Sequence, residues 1–209
     1  MPENPGAAAW AAVCAERGLE PALVPHVVRY LELLERWNRV HNLTAVTGVE
    51  ALVERHVLDS LSVLPWMRGD RVLDVGSGAG LPGLILALAD PGREYVLLDA
   101  AAKRVRFLRA VIGELALEHV SAVHARVETL RPDPGFATVV SRAFAAPPEF
   151  VRRAGHCVAP GGRMVAMLGQ SEAARQALPE GWFYQSVDPV SIRGSSARRH
   201  IAVIERGSA

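Results

Sequence analysis

The stretch DVGSGAGLPG, residues 74–83, places four glycines in its last eight positions. It follows the apolar run RVLDV at 71–75, which is typical of a buried strand, and it leads into PGLILALA at 82–89, which favours a helix. Glycines between a strand and a helix let a ligand approach the backbone closely. We therefore expect the chain to fold around a strand–loop–helix unit that holds a small molecule.

Strands and helices alternate through the rest of the chain. Apolar strands separated by helices predict an α/β fold with a mostly parallel sheet that is covered on both faces. The segments at 182–190 and 199–206 are expected to close the sheet as an antiparallel pair, which gives it seven strands. The other predicted strands are 71–75, 94–100, 120–125, 136–144 and 162–169, and the predicted helices between them are 82–89, 102–117 and 147–158.

The first third of the chain has a different pattern. Apolar residues at helical spacing predict helices over 21–43 and 48–67, and Pro65 is expected to end the second one. We expect residues 1–67 to be a helical extension packed on a cofactor-binding core of residues 68–209, within a single domain. Half of the 209 residues are hydrophobic, so a large buried core can form.

Composition narrows the possible partners. The net charge of +1 argues against binding nucleic acid through bulk charge but allows a local basic face. Cys14 and Cys157 are too few for a disulfide framework or a zinc site, and packing explains the pair His56 and Asp59 better than ligation, so no metal is expected. The chain start has no signal-peptide pattern and no stretch is long enough to span a bilayer. We therefore expect a cytoplasmic protein without a membrane partner.

The glycine loop fits two kinds of ligand. Residues 78–83, GAGLPG, match the G-x-G-x-x-G pattern of dinucleotide enzymes, so a nucleotide-binding oxidoreductase is one interpretation. Asp74 argues against it, because a carboxylate beside a pyrophosphate is repulsive. S-adenosylmethionine has no phosphate, and its ammonium group suits a carboxylate at this position. Asp99, at the end of the next strand, fits either ligand because both offer a ribose diol.

Six segments of the chain form a recognisable set: NLTAV (42–46), RHVLDSL (55–61), DVGSGAGLPG (74–83), LLDAAAKRVRFLR (97–109), VVSRAFA (139–145) and RRHIAVI (198–204). Together they resemble the RsmG family, also called GidB, which consists of bacterial methyltransferases of 16S ribosomal RNA. The resemblance implies a Rossmann-like class I methyltransferase fold. It also implies that S-adenosyl-L-methionine donates a methyl group to N7 of one guanine near the decoding site.

The resemblance further implies where the cofactor binds. Leu168 stands where family members often have a lysine, so no cation is expected at the end of the fifth strand. Cofactor contacts are implied at Gly76, Leu81, Val127, Glu128 and Arg142, with Asp99 on the ribose side. The loop pattern itself adds Asp74, Gly78 and Gly80.

The chemistry of the acceptor limits what the protein must supply. Guanine N7 has a lone pair and no proton to lose, so we expect no catalytic acid or base and a site that works by substrate placement. Phe144 is a candidate to stack on the guanine, and core packing is the alternative. Arg142 is a candidate to contact the cofactor carboxylate or an RNA phosphate, and a salt bridge is the alternative.

The expected RNA surface consists of three basic clusters. The substrate is expected to be 16S rRNA, as naked RNA, within the small ribosomal subunit or within an assembly intermediate. A solvated surface explains each cluster taken alone, and a methyltransferase of the same fold acting on a protein or small molecule stays open because the net charge is weak. The candidates are Arg36, Arg39, Lys103, Arg104, Arg106, Arg193, Arg198, Arg199 and His200.

Overall fold

The computed structural model describes residues 5–169, 176–193 and 198–207. It contains the predicted seven-stranded sheet, with the order β3-β2-β1-β4-β5-β7-β6. The strands are β1 (Arg71–Val75), β2 (Glu94–Asp99), β3 (Val120–His124), β4 (Phe136–Arg142), β5 (Val158–Leu168), β6 (Trp182–Val190) and β7 (Arg199–Arg206). The first five strands pair in parallel, whereas β7 pairs antiparallel with both β5 and β6.

Helices cover both faces of this sheet, as the alternating pattern predicts. In the part of the chain that is described, no helix is both long and apolar enough to cross a membrane. The α-helices are α1 (Pro5–Glu16), α2 (Val24–His41), α3 (Val49–Leu52), α4 (Asp59–Leu61), α5 (Gly83–Ala89), α6 (Ala102–Glu114) and α7 (Pro147–Ala154).

Three predicted boundaries within the sheet region differ clearly from the structure. The helix predicted over 147–158 ends at Ala154, where a 3₁₀ turn begins, and β5 starts at Val158 rather than at residue 162. The register against β4 shifts between Phe136 and Thr138, so β5 accommodates its Pro-Gly-Gly segment as an irregularity within the strand. The long helix after β2 ends at Glu114 instead of residue 117, and Ala116 adopts a left-handed φ of 50° there.

The helix predicted over 48–67 is not a regular α-helix. Between α3 and α4 the chain forms a π-helical stretch, Val53–Leu58, and Leu64–Trp66 form a separate 3₁₀ turn. The wider π turn is frequently found at functional sites in proteins. Here it carries His56 into the interior and precedes the buried Asp59.

The N-terminal helices pack directly on the sheet region. Buried residues of α1, α2 and α3 share one apolar cluster with residues of β1, α5 and α6. Trp37 of α2 meets Phe107 of α6 edge to face, with 5.7 Å between ring centroids. The buried Tyr30 hydroxyl donates to the Ala79 carbonyl at 2.8 Å, so α2 also supports the glycine loop.

The topology determines where a ligand can bind. From β1 the chain builds outward through β2 and β3, and then returns to place β4 on the other side of β1. Ligands of open α/β sheets bind at the carboxyl ends of the strands next to such a switch point. At this edge lie the loop after Val75, Asp99 at the end of β2 and Arg142 at the end of β4.

Candidate functional site

The glycine loop turns back over the ends of β1 and β2. The amides of Gly76 and Ser77 both donate to the Leu98 carbonyl, at 2.8 and 3.0 Å. Gly76, Gly78 and Gly80 have φ values of 73°, 59° and 89°, a region that L side chains rarely adopt. The sequence of glycines therefore sets the path of this loop.

The glycines of this loop serve different purposes. A Cβ at Gly80 would lie 2.2 Å from Leu84 Cδ1, so this glycine allows the loop to pack on α5. A Cβ at Gly78 would have only one neighbour within 4 Å, the Gly76 carbonyl oxygen at 3.8 Å. Gly78 therefore borders open space, which is where a bound molecule can approach the backbone.

Asp99 connects the loop to the end of β2. One of its carboxylate oxygens accepts from the Gly78 amide at 3.0 Å, and the other accepts from the Ala101 amide at 2.8 Å. The Arg104 guanidinium lies 3.4 Å away. The buried Asp99 thus stands next to the open side of the loop, and a role on the ribose side of the cofactor remains our prediction for it.

Asp74 lies beneath the loop and is 1% exposed. Its Oδ2 accepts from the Gly83 amide at 3.0 Å, whereas its Oδ1 has no hydrogen-bond partner among the described residues. Burial raises the pKa of this carboxyl to about 7, although the hydrogen bond from Gly83 and the nearby Arg142 act in the opposite direction. A buried acceptor without a partner is costly, and a cationic ligand group would satisfy it.

Three further predicted cofactor contacts, Leu81, Val127 and Glu128, differ in their exposure. Leu81 and Val127 are 4% and 3% exposed, so their side chains pack in the apolar interior. Glu128 is exposed and forms an ion pair with Arg153 of α7. Their roles toward a cofactor stay predictions.

Phe144 lies over the glycine loop and is half-buried. A Cβ at Gly76 would be 3.0 Å from its ring. The ring meets Phe150 edge to face at 6.1 Å, and the Arg153 guanidinium lies 4.5 Å from the ring centroid. These contacts account for Phe144 as packing, and stacking on a guanine remains a prediction.

Arg142 forms a salt bridge, which was the alternative to a cofactor or phosphate contact for this residue. Its Nη1 donates to the Arg55 carbonyl at 2.7 Å and to Asp59 Oδ2 at 3.2 Å. Arg199 Nε donates to the other oxygen of Asp59 at 3.1 Å. The structure therefore brings together Asp59, Arg142 and Arg199, a cluster that the sequence analysis did not find.

His56 lies one turn before Asp59 and is buried. Its Nε2 lies 2.8 Å from the Thr44 hydroxyl oxygen, and its Nδ1 has no partner among the described residues. Burial and the charge of Arg142 lower the pKa of His56 to about 4, so the ring is neutral at pH 7. Within the described ranges, no group of three or more His, Cys, Asp or Glu side chains is placed to hold a metal ion.

The predicted RNA-binding residues fall into two regions. Arg36 and Arg39 are exposed on α2, and Lys103 reaches its end by donating from Nζ to the His41 carbonyl at 3.1 Å. Arg104 contacts Asp99, and Arg106 is exposed on α6.

The second basic region lies just before β7 and in the first two residues of that strand. Arg193 and Arg198 are exposed, whereas Arg199 and His200 are half-buried. Arg199 is ion-paired with Asp59, and a role of this region in RNA binding stays a prediction. Residues 194–197, in the middle of the predicted loop, lie outside the described residues.

Comparison with known proteins identifies the family. The family model described as rRNA small subunit methyltransferase G (GidB) matches residues 24–202. A protein of Nitrosospira multiformis named ribosomal RNA small subunit methyltransferase G is 45% identical over 190 residues, which cover 86% of this chain and 87% of the relative. One of the same name from Alkalilimnicola ehrlichii is 46% identical over 176 residues, covering 84% and 80%.

Solved structures agree on the fold. The glycopeptide N-methyltransferase MtfA in complex with S-adenosyl-L-homocysteine has a TM-score of 0.60 at 14% identity, covering 73% of this chain and 87% of that one. TrmN from Thermus thermophilus has a TM-score of 0.55 at 21% identity, covering 82% and 52%. The predicted Rossmann-like methyltransferase fold and the predicted family are both confirmed. The chain belongs to the rRNA small subunit methyltransferase G family.

Proposed function

We propose that this protein transfers a methyl group from S-adenosyl-L-methionine to N7 of one guanine in 16S rRNA, near the decoding site. The observation that carries the proposal is family membership across residues 24–202, which include the whole candidate site. The substrate is 16S rRNA, as naked RNA, within the small ribosomal subunit or within an assembly intermediate. Because that RNA resides in the cytoplasm of bacteria, we place the protein there.

The residues at the sheet edge fit S-adenosylmethionine. Gly78 leaves open space beside the loop backbone, and the unpartnered Oδ1 of Asp74 suits the ammonium group of the methionine portion. Asp99 is the acid for the ribose hydroxyls. When bound, S-adenosylmethionine supplies an electrophilic methyl group on a cationic sulfur. Gly76, Gly80, Leu81, Val127 and Glu128 complete the proposed cofactor-binding set.

The same features disfavour the oxidoreductase interpretation. A dinucleotide would place its pyrophosphate at the start of α5, where the Gly83 amide already donates to Asp74. A second anion at that point would face a buried carboxylate and would be repelled. The other alternative, a protein or small-molecule substrate, lacks a specific observation in its favour once the family is known.

The acceptor chemistry needs placement and no proton transfer. Attack by the N7 lone pair on the methyl carbon breaks the bond between that carbon and sulfur, and the product guanine is cationic. Arg142, at the end of β4, and Phe144, next to Gly76, are the residues that we propose position the base. The neutral His56 is hydrogen-bonded to the Thr44 hydroxyl and is not needed as a base.

Calorimetry tests the cofactor assignment directly. We expect the protein to bind S-adenosylmethionine and its product S-adenosylhomocysteine, and to show no heat of binding with NAD, because only the former pair offers an ammonium group to Asp74. Titration of each ligand into the same protein preparation provides the comparison. Tight NAD binding without a response to S-adenosylhomocysteine would refute the methyltransferase site.

The exposed Arg198 provides a test of the RNA surface. We expect Arg198→Ala to weaken binding to small subunits and to reduce the slope of log affinity against log salt by about one, because one phosphate contact and its counterion are lost. Arg206→Ala is the matched control, since Arg206 is an exposed arginine at the opposite end of β7. Equal salt slopes for both variants and the wild type would exclude Arg198 from the RNA surface.

A further inference from the structure

A buried carboxylate is held between two arginines at the end of β4 and the start of β7. Asp59 is 4% exposed, and each of its oxygens accepts one hydrogen bond, from Arg142 of β4 and from Arg199 of β7. A carboxylate oxygen has two lone pairs, so each oxygen retains the capacity for one more bond. Asp59 is thus held in a fixed orientation by two cations and is still able to accept further donors.

These three side chains line a cavity of about 330 Å³. This volume is within the range of small-molecule pockets, about 300–1,000 Å³. The apolar side chains of Val46, Met167 and Leu168 also line it. A cavity with apolar walls and a few fixed polar groups suits a flat base that is stacked on its faces and recognised at its edge.

A short stretch of chain connects this cavity to the glycine loop. Ala143 lines the cavity, and the next residue, Phe144, lies against Gly76. Ala143 has a φ of 54°, a strained value for a residue with a side chain, and such strain concentrates at functional sites. The positive charge of Arg142 also acts on Asp74, where it opposes the larger effect of burial on the pKa of that carboxyl.

The methylation of N7 restricts how the base can be held. N7 must be free to attack, so recognition has to use the opposite edge of guanine, which presents the O6 acceptor and the N1–H and N2–H donors. A carboxylate accepts two donors side by side, and a guanidinium beside it donates to O6. Asp59, with Arg142 on one side and Arg199 on the other, offers a carboxylate for N1–H and N2–H and a neighbouring guanidinium for O6. Adenine presents a donor at N6 and an acceptor at N1, and it does not match.

We propose that Asp59 binds the Watson–Crick edge of the acceptor guanine in this cavity, and that an adjacent arginine donates to O6. The inference rests on the proposed function and adds the residue that selects the base. In this arrangement Arg142 and Arg199 hold Asp59 in position for the base, in place of the cofactor and phosphate contacts expected of them from the sequence.

The 2-amino group of guanine gives the test. Small subunits are reconstituted with 16S rRNA that carries either guanosine or inosine at the modified position, because inosine lacks only that amino group. We expect the wild type to methylate guanosine at least about tenfold faster in single turnovers, the loss expected for one hydrogen bond to a charged group. In Asp59→Ala the rate on guanosine falls and the two rates come within about twofold, since the carboxylate is gone.

Glu205 supplies the matched control. Its carboxylate also contacts two arginines, Arg163 at 2.7 Å and Arg68 at 3.3 Å, but at the far end of β7. Glu205→Ala is expected to keep the wild-type preference for guanosine. Binding of S-adenosylhomocysteine checks that each variant is folded. If Asp59→Ala does not fold, Asp59→Asn replaces it, and we expect the same loss of preference for guanosine.

Three results have distinct meanings. Equal wild-type rates on guanosine and inosine would overturn the assignment of Asp59 without any variant. A preserved preference in a folded Asp59 variant would also overturn it and leave a structural role. Failure of the wild type to methylate the guanosine-containing subunits would instead refute the proposed function.

Discussion

Gly78→Val is expected to lower the affinity for S-adenosylhomocysteine by more than about 100-fold, which corresponds to about 2.7 kcal/mol, while the protein stays folded. The valine side chain meets no protein side chain within 4 Å of its Cβ, so it extends into the open space that the cofactor requires. The positive φ of 59° adds a strain of about 1–2 kcal/mol, which a domain of this size tolerates. Calorimetry gives the affinity and circular dichroism gives the folded fraction.

Variants at two other glycines distinguish the loss of cofactor space at Gly78 from the backbone strain of a side chain at positive φ. Gly161 also has a positive φ, 72°, and open space around its Cβ, but it lies at the opposite end of the sheet, so Gly161→Val should carry the strain and keep the affinity. Gly80→Val should unfold the loop region, because its Cβ would overlap Leu84. If Gly78→Val binds S-adenosylhomocysteine as tightly as Gly161→Val does, the cofactor does not lie against Gly78.

Asp74→Asn is expected to change stability and cofactor affinity in opposite directions. In the folded protein the pKa of Asp74 is raised to about 7, whereas an unfolded aspartate has a pKa of about 3.9. Between these values the unfolded state loses its proton first, so the contribution of Asp74 to stability decreases as the pH rises from about 4 to 7 and then levels off. The ionised buried carboxylate thus destabilises the free protein by up to about 4 kcal/mol above pH 7.

Asparagine removes this titration. As the pH is raised from 5 to 8, we expect the free energy of unfolding of Asp74→Asn to increase relative to that of the wild type, by several kcal/mol at most. The reason is that the amide stays neutral while the carboxyl of the wild type ionises. The same change should weaken S-adenosylhomocysteine binding at least about tenfold, since the partner of the ammonium group loses its charge. Urea unfolding at several pH values measures the first effect. A stability difference that does not vary with pH would show that the carboxylate is not perturbed in the free protein.

The parts of the fold that were predicted correctly depend on neighbours in sequence. The loop of residues 74–83 could be placed because its glycines directly join an apolar strand to a helix. The position of Arg142 at the ligand edge followed from its place at the end of a predicted strand. β5 begins earlier than predicted. Pro160 and the two glycines after it favour a turn in isolation, and the pairing of Val158 and Arg163 on either side of them with β4 extends the strand across this segment.

The Asp59 cluster could not be predicted in the same way. Arg142 is 83 residues from Asp59 and Arg199 is 140 residues away, so no local pattern connects them. The π-helical stretch before Asp59 gives no distinct signal either, because its apolar spacing is close to that of an α-helix. Only the packing of the N-terminal helices on the sheet edge brings these charges together.

The central claim is that a methyl group reaches N7 of one guanine in 16S rRNA. The most direct measurement is transfer from labelled S-adenosylmethionine to small subunits isolated from cells that lack this protein, followed by nuclease digestion, mapping of the labelled position and mass spectrometry of the nucleoside. The account predicts one methyl group per subunit, recovered as 7-methylguanosine from a single position near the decoding site. Label in another nucleoside, on an exocyclic amine or ribose of the RNA, or in a ribosomal protein would contradict it.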